Sequence, residues 1–438
     1  MSILSTLSDA LPGSTFGPDT PEYDAGRTVF LGPGTPAAVV RPASADEVAE
    51  AVRTAVRLGV AIHVRSGGHG SEPAADGIVI DLSALCSVGL RDGDLVDVGG
   101  GAHWSDVADA LAPHALAVTS GDTRDVGVGG IGVGGGIGWL VRTHGLAIDL
   151  LTEVELVTAA GAVVTANERS HPDLFWAVRG GGGNFGIVTR FTFRAVPVDG
   201  LVGGHVRFDE SDVPAVLRAW RDITLASPDE LNSTLLIMPP FGPDMPGGPQ
   251  LGVALRGTEA ELRGLLAPLL ELPSVTDVSL APLDYGDLLE AAPPGKPPFR
   301  FVGGNGFVPE LDDAFLDACV HALGAAAPTM LMLRALGGAF GRVAPDATPI
   351  AFRDAEAFLV VNGVLDPGVD EATVADLQLE VGAPLDRTSG RYANFTQEYG
   401  DGVLATIYPP AVLARLRSIK AQVDPGDVFR PAHHIAPA

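Results

Sequence analysis

Lysine is nearly missing from this 438-residue chain: Lys296 and Lys420 are the only two, and arginine supplies the rest of the 28 basic residues, against 54 acidic ones. The net charge of −26 leaves no basic run able to neutralise successive phosphates, which argues against nucleic acid and anionic membrane surfaces as partners. Cysteine is almost as scarce. Cys86 and Cys319 alone form neither a disulfide framework nor a zinc-ligand spacing, so no metal is expected. No apolar run approaches the ~18 residues of a membrane span, and the N-terminus shows no basic n-region, apolar h-region or twin arginine. The expectation is a soluble, cytoplasmic protein. There is no internal repeat, and the 56 glycines cluster at a few places instead of forming a low-complexity tract.

What is present suits two domains, since the chain is too long for one ordinary core. Ser44 and Glu47 form a capping-box pattern ahead of a helix to Leu58 that carries Val48, Val52 and Val56, and Gly59 ends it. Strands are predicted at 60–65, 78–82 and 95–98, a short helix at 104–111, and a hairpin of 154–158 with 163–165. A helix opens at Pro172 and ends at Gly180, and 185–193 reads as a strong strand. Beyond Pro197 the helices 213–225, 259–270, 312–323 and 371–381 alternate with strands 232–238, 250–255, 276–280, 329–333 and 357–361. This predicts a sheet with helices on one face. The proline-rich stretch 293–298 reads as a loop within that region, and a final helix starting near Tyr408 breaks at Asp424-Pro425.

Three glycine loops, 66–70, 127–138 and 180–186, punctuate the first half. Such loops expose backbone N–H groups and let a bulky anion approach without a Cβ in the way. The run 121–138 holds nine glycines and reads as a poor helix or strand interior. It contains a formal G-x-G-x-x-G at Gly127, Gly129 and Gly132, with Asp149 near the spacing of a ribose-binding acid, as in a Rossmann NAD site. Ser120 to Asp125 are polar where a buried strand should precede that motif, so the NAD-dependent reading is the remote alternative.

The motifs Arg65-Ser66-Gly67-Gly68-His69-Gly70, Val126–Trp139, His144–Asp149 and Asp173–Thr189 resemble the berberine bridge enzyme-like flavoproteins, as do Tyr392-Ala393-Asn394-Phe395 and the C-terminal Leu416–Arg430 pattern. These flavoproteins belong to the vanillyl-alcohol oxidase / p-cresol methylhydroxylase superfamily, and the resemblance is dense over about 35–197 and 385–435. It implies an α+β, two-domain fold. A split FAD-binding domain, 1–197 plus 405–438, would flank an antiparallel-sheet substrate domain, 198–404. It also implies FAD bound covalently through His69. The cofactor contacts it implies are Arg65, Ser66, Gly67, Gly68, Gly70, Thr123, Val126, Gly127, Gly130, Gly134, Gly135, Gly136, Gly138, Gly186, Ile187, Val188 and Asn394. Tyr392 and Asn394 are the implied catalytic pair, with Tyr392 deprotonating or orienting substrate and Asn394 bonding near the isoalloxazine.

Two departures qualify the resemblance. Thr123 stands where many relatives carry a second flavin-linking cysteine, and a hydroxyl is not the nucleophile a thiolate is, so one tether is expected. At the C-terminus Pro431-Ala432-His433-His434 replaces the usual asparagines, and no carboxylate occupies a recognisable catalytic slot in the substrate domain. Adjacent histidines on an extended chain point apart and do not make a metal site. Val126 matches a valine that the family associates with oxygen reactivity, which favours an oxidase. The expected reaction is hydride transfer from an alcohol or amine C–H to flavin N5, with O₂ reduced to H₂O₂, by a monomer or homodimer acting on a small molecule. A dehydrogenase or a catalytically silent flavoprotein is the nearer alternative. Asn362, Tyr285 and Arg300 are further candidates to face the pocket.

Overall fold

A computed structural model describes residues 2–70, 72–240, 247–292 and 299–438; the 293–298 loop assignment therefore lies outside the described residues. The first third builds a four-stranded sheet in which Ala38–Val40 and Ile62–Arg65 both lie parallel to the central strand Ile78–Asp81. Helix Ala45–Leu58 covers it, and Ser44 accepts from Glu47 N–H as a cap. The reciprocal half of the capping box does not form, because Glu47 Oε2 accepts from Ala43 N–H and Ser14 Oγ instead. The buried stripe runs Val48, Ala49, Val52, Ala55, whereas Val56 turns outward at 45% exposure. A helix repeats every 3.6 residues, so a strict spacing of four drifts off the buried face.

A five-stranded antiparallel sheet follows, ordered Val163–Asn167, Leu151–Val157, Ile187–Arg194, Leu95–Gly99, Val88–Leu90. Its core includes Trp104, Phe175, Phe191 and Phe193, and it also takes in Leu413, Leu416 and Ile419 of the last helix, Pro410–Val423. The C-terminal helix thus returns to the first half of the chain.

The middle of the chain forms a seven-stranded, wholly antiparallel sheet in the order Val275–Pro282, Leu201–Phe208, Gly248–Arg256, Leu231–Met238, Thr329–Ala335, Ala357–Leu365, Arg300–Val308. Two of these strands, Leu201–Phe208 and Arg300–Val308, escape the sequence reading. Gly203 and Gly204 interrupt one and Gly303, Gly304 and Gly306 the other, and glycine is a weak strand former in isolation. Alternation fixes the two faces. Leu235, Leu251, Leu331, Leu333, Leu359 and Val361 pack under helices Val213–Ala226 and Asp313–Leu323. Phe307, Phe358 and Val360 point the other way and join Ile137, Leu146, Ile148 and Tyr392 in a separate cluster that faces the glycine-rich run.

Candidate active site

The glycine-rich run expected as irregular backbone contains a seven-residue helix, Val128–Gly134. Tertiary packing overrides propensity here, because the element is crowded on several sides by groups that leave no room for a Cβ. One at Gly129 would lie 2.7 Å from Gly100 O, and one at Gly132 would lie 2.7 Å from the Phe191 ring. Just before the helix, Gly67 and Gly127 meet backbone to backbone, each occupying the space a Cβ on the other would need. Ser66 locks the junction: its Oγ donates to Gly100 O at 2.7 Å and accepts from Gly129 N–H at 3.1 Å. Gly68 turns the chain with φ +76°, a value that disfavours any side chain. His69 then stacks on Phe30 at 5.8 Å, half-buried. Burial holds its imidazole below the ordinary range, with Asp125 opposing the shift. Gly70 and Gly130 have open space on their Cβ side.

The third loop closes on the same helix. Gly180 N–H donates to Val133 O at 3.0 Å, and Tyr408 OH donates to Gly180 O at 2.9 Å. Gly186, Ile187 and Val188 are buried within the five-stranded sheet, where Gly100 N–H bonds Thr189 O. Gly138 is pressed against Ser120 O. Arg65 is committed elsewhere, to Asp81 Oδ1 at 3.1 Å and Thr28 O at 3.1 Å. Thr123 bridges to Glu290, and Val126 O accepts from Trp104 N–H.

From the far end of the chain, Tyr392 and Asn394 dock on the exit of this helix. Tyr392 OH accepts from Gly136 N–H at 2.8 Å and from Asn394 Nδ2–H at 2.9 Å. Tyr392 is 2% exposed, edge-on to Phe307 and Phe358, and burial pushes its phenol up to about 12. At neutral pH it is protonated. With both acceptor positions used, its O–H is a donor, which favours orienting over deprotonation. The turn is held by Asn305, whose Oδ1 accepts from Tyr392 N–H (2.8 Å) and whose Nδ2 donates to Thr396 Oγ1 (3.0 Å). His433 Nε2 lies 3.1 Å from both Ala393 O and Thr396 O, so that nitrogen carries the proton. The histidine in the departed C-terminal motif thus supports the Tyr392-x-Asn394 turn. Sequence reasoning missed Asn305 because it missed its strand; recognised, the alternation of 300–308 places Asn305 on the face of Phe307.

Asp149 is not free for a ribose. Arg353, 2% exposed, grips it through two bonds of 2.8 and 2.9 Å. Of the other candidates, Arg300 pairs with Glu371 away from this face. Tyr285 is buried against Ser120, and Asn362 lies half-buried on the face toward the glycine run. A groove of about 420 Å³ is lined by Ala108, Leu116, Asp199 and Asp284 among others and by no residue of the glycine loops.

Several buried polar atoms near these elements have no partner among the described residues: Thr119 Oγ1, Asp122 Oδ1, Trp139 Nε1, Arg334 Nη1 and His433 Nδ1. Buried polar groups are ordinarily paired. This mixture of donors and acceptors beside glycine-lined backbone fits a polar cofactor such as FAD together with the substrate it acts on. Such a set, on a split α+β frame roofed by an antiparallel sheet, defines a flavin-dependent oxidoreductase.

Comparison with known proteins narrows this class. The FAD binding domain family matches residues 36–167. An uncharacterized FAD-linked oxidoreductase, YgaK of Bacillus subtilis, is 31% identical over 98% of this chain and 97% of its own. (R)-6-hydroxynicotine oxidase of Paenarthrobacter nicotinovorans is 28% identical over 98% and 97%. The structure of a xylooligosaccharide oxidase from Myceliophthora thermophila with xylobiose superposes with a TM-score of 0.83 at 26% identity, covering all of both chains. The chain belongs to the FAD-linked oxidoreductases that carry this FAD binding domain, and it shares the fold of a berberine bridge enzyme-like protein from Physcomitrella patens, with a TM-score of 0.87 at 24% identity. Among the described residues no helix is long and apolar enough to cross a membrane.

Proposed function

We propose that this protein is an oxidase that holds FAD through a single covalent bond from His69 and oxidises a C–H bond of a small molecule, with O₂ as final acceptor and H₂O₂ as product. When bound, the flavin supplies hydride acceptance at N5 and its own reoxidation by O₂. One observation carries the reading. Residues at opposite ends of the chain, Ser66–His69 and Tyr392–Asn394, are fastened to the two ends of the one glycine-rich helix by Ser66 Oγ–Gly129 N–H and Tyr392 OH–Gly136 N–H.

The chain's own residues then have distinct tasks. Burial keeps the His69 imidazole neutral, which leaves a ring lone pair for bond formation. Gly70 and Gly130 leave room beside the loops for a cofactor, while Gly67, Gly127 and Gly138 are glycine because protein backbone occupies the space. Tyr392 donates a hydrogen bond, and Asn394 fixes its orientation. Thr123 leaves no second tether. Position 1–197 with 405–438 acts as the cofactor-holding unit and 198–404 as the substrate-holding unit.

Acid precipitation tests the tether: yellow should stay in the wild-type pellet and leave it in His69→Ala. Flavin released from wild type would refute covalent attachment. Peroxide formation in a screen of alcohols and amines tests the oxidase reading. A yellow protein whose flavin bleaches with substrate yet does not recover in air would instead be a dehydrogenase.

A further inference from the structure

Among the described residues, one carboxylate keeps a buried oxygen without a hydrogen-bond partner: Asp122 Oδ1. Its other oxygen accepts from Arg334 Nη2 at 2.7 Å. Arg334 reaches Asp122 from the glycine-facing side of the seven-stranded sheet, is 3% exposed, and leaves its own Nη1 unpaired. Thr234, its register partner on the adjacent strand, has an unpaired Oγ1. Trp139, with its ring 4.9 Å from the Arg334 guanidinium, has an unpaired Nε1. Backbone bonds hold Asp122 in place, since Glu290 N–H donates to Asp122 O (2.8 Å) and Arg124 N–H to Glu290 O (2.9 Å). Buried polar groups are ordinarily paired, so a cluster of unsatisfied ones marks a place that a ligand completes.

The position matters as much as the chemistry. Asp122 directly precedes Thr123, which the family resemblance makes a cofactor contact. The sequence shows no carboxylate in the substrate domain's catalytic slot, and Tyr392 is too weak an acid to serve as base. Around Arg334 the half-buried side chains on this face are Leu236, Met238, Met330 and Met332, with the amides of Gln250 and Asn362, and they carry no charge. Toward the sheet edge His205, half-buried on the same face, bonds Asp277 Oδ2 at 2.9 Å, and Arg207 lies opposite Asp277.

Resting on that flavin site, we infer that Asp122 is the proton acceptor of the reaction, that Arg334 orients it, and that the substrate is an uncharged alcohol. The hydroxyl donates to Asp122 Oδ1 while its oxygen accepts from Arg334 Nη1. In the step, the substrate O–H bond breaks and its proton passes to Asp122. The electron pair left on oxygen forms the carbonyl, and the C–H bond breaks with both electrons going as hydride to the flavin. Solvent then takes the proton from Asp122. An ammonium ion has no lone pair to accept from Arg334 Nη1 and would meet the guanidinium as a like charge.

Sulfite, which adds as an anion at N5 of oxidised flavin, tests the location without a known substrate. In the holoprotein, Asp122→Asn should bind sulfite about tenfold more tightly than wild type, and Arg334→Gln about tenfold more weakly. A merely structural ion pair would lower the melting temperature of both variants without moving sulfite affinity in opposite directions. Should one variant fail to retain yellow colour in the acid pellet, the other still reads the sign. Both variants within twofold of wild type would overturn the inference alone, whereas a wild type that never bleaches with sulfite overturns the oxidase reading as well. Anaerobic flavin bleaching with alcohols against amines of the same carbon skeleton tests the class: bleaching by the alcohols is expected, and bleaching by amines alone overturns it.

Discussion

Replacing Lys420 by Met gives the sharpest measurement of how the C-terminal segment is held. The Lys420 side chain is wholly buried, and its Nζ donates to Asp424 Oδ2 (2.6 Å), Phe429 O (2.7 Å) and Asn184 O (2.9 Å). Methionine fills similar volume but leaves the buried Asp424 carboxylate with only the Val428 and Phe429 N–H donors, and strands two carbonyls. Removing one partner of a buried ion pair costs about 3–5 kcal/mol. That corresponds to a melting-temperature loss of roughly 3–5 °C for a chain of this size. The consequence extends to the site. Asn184, whose carbonyl Lys420 holds, bonds Gly181 O, His433 O and Ile435 N–H, and so ties the third glycine loop to the tail that supports Tyr392-x-Asn394. Calorimetry should show the loss, and the double variant with Asp424→Asn should recover part of it, because the stranded charge is gone. A Lys420→Met protein that melts within 2 °C of wild type would refute the reasoning.

Other outcomes follow from the same contacts. Gly130→Ala meets open space and should raise apo-protein stability by about 0.5–1 kcal/mol through helix propensity, whereas Gly134→Ala puts a Cβ 2.6 Å from Asn394 Nδ2 and should lower flavin content and melting temperature together. Tyr392→Phe strands the buried Gly136 and Asn394 donors and should cost about 1–3 kcal/mol in urea unfolding. It should also leave the alkaline limb of the reaction's pH profile in place, since a phenol held at about 12 is not the group titrating there. Burial holds His144 and His433 below the ordinary histidine value of 6.5. The unfolded chain therefore binds more protons below that pH. The stability they contribute is present above about pH 6.5 and is lost as pH falls, so melting temperature should drop between pH 7 and 5 and drop less in His144→Gln.

The sequence by itself determined the elements whose cues are local. Ser44 and Gly59 bound a helix, Pro172 opens another, and apolar periodicity marks most strands of the large sheet, because caps, turns and one-sided burial are written within a few residues. It also determined the family, since the ordered motifs from Arg65 to Arg430 reflect backbone approaches that tolerate few residue types. The tertiary structure decided what distance in the chain conceals. It made a helix of Val128–Gly134, in which Gly129, Gly132 and Gly134 are demanded by Ser66, Gly100, Phe191 and Asn394. It paired Asp149 with Arg353, 204 residues away, and so removed a ribose ligand that spacing alone suggests. It also set Asp122 against Arg334, 212 residues away, an ion pair that no local pattern announces. Such pairings depend on which faces of two sheets meet, and that is fixed by packing of the whole chain.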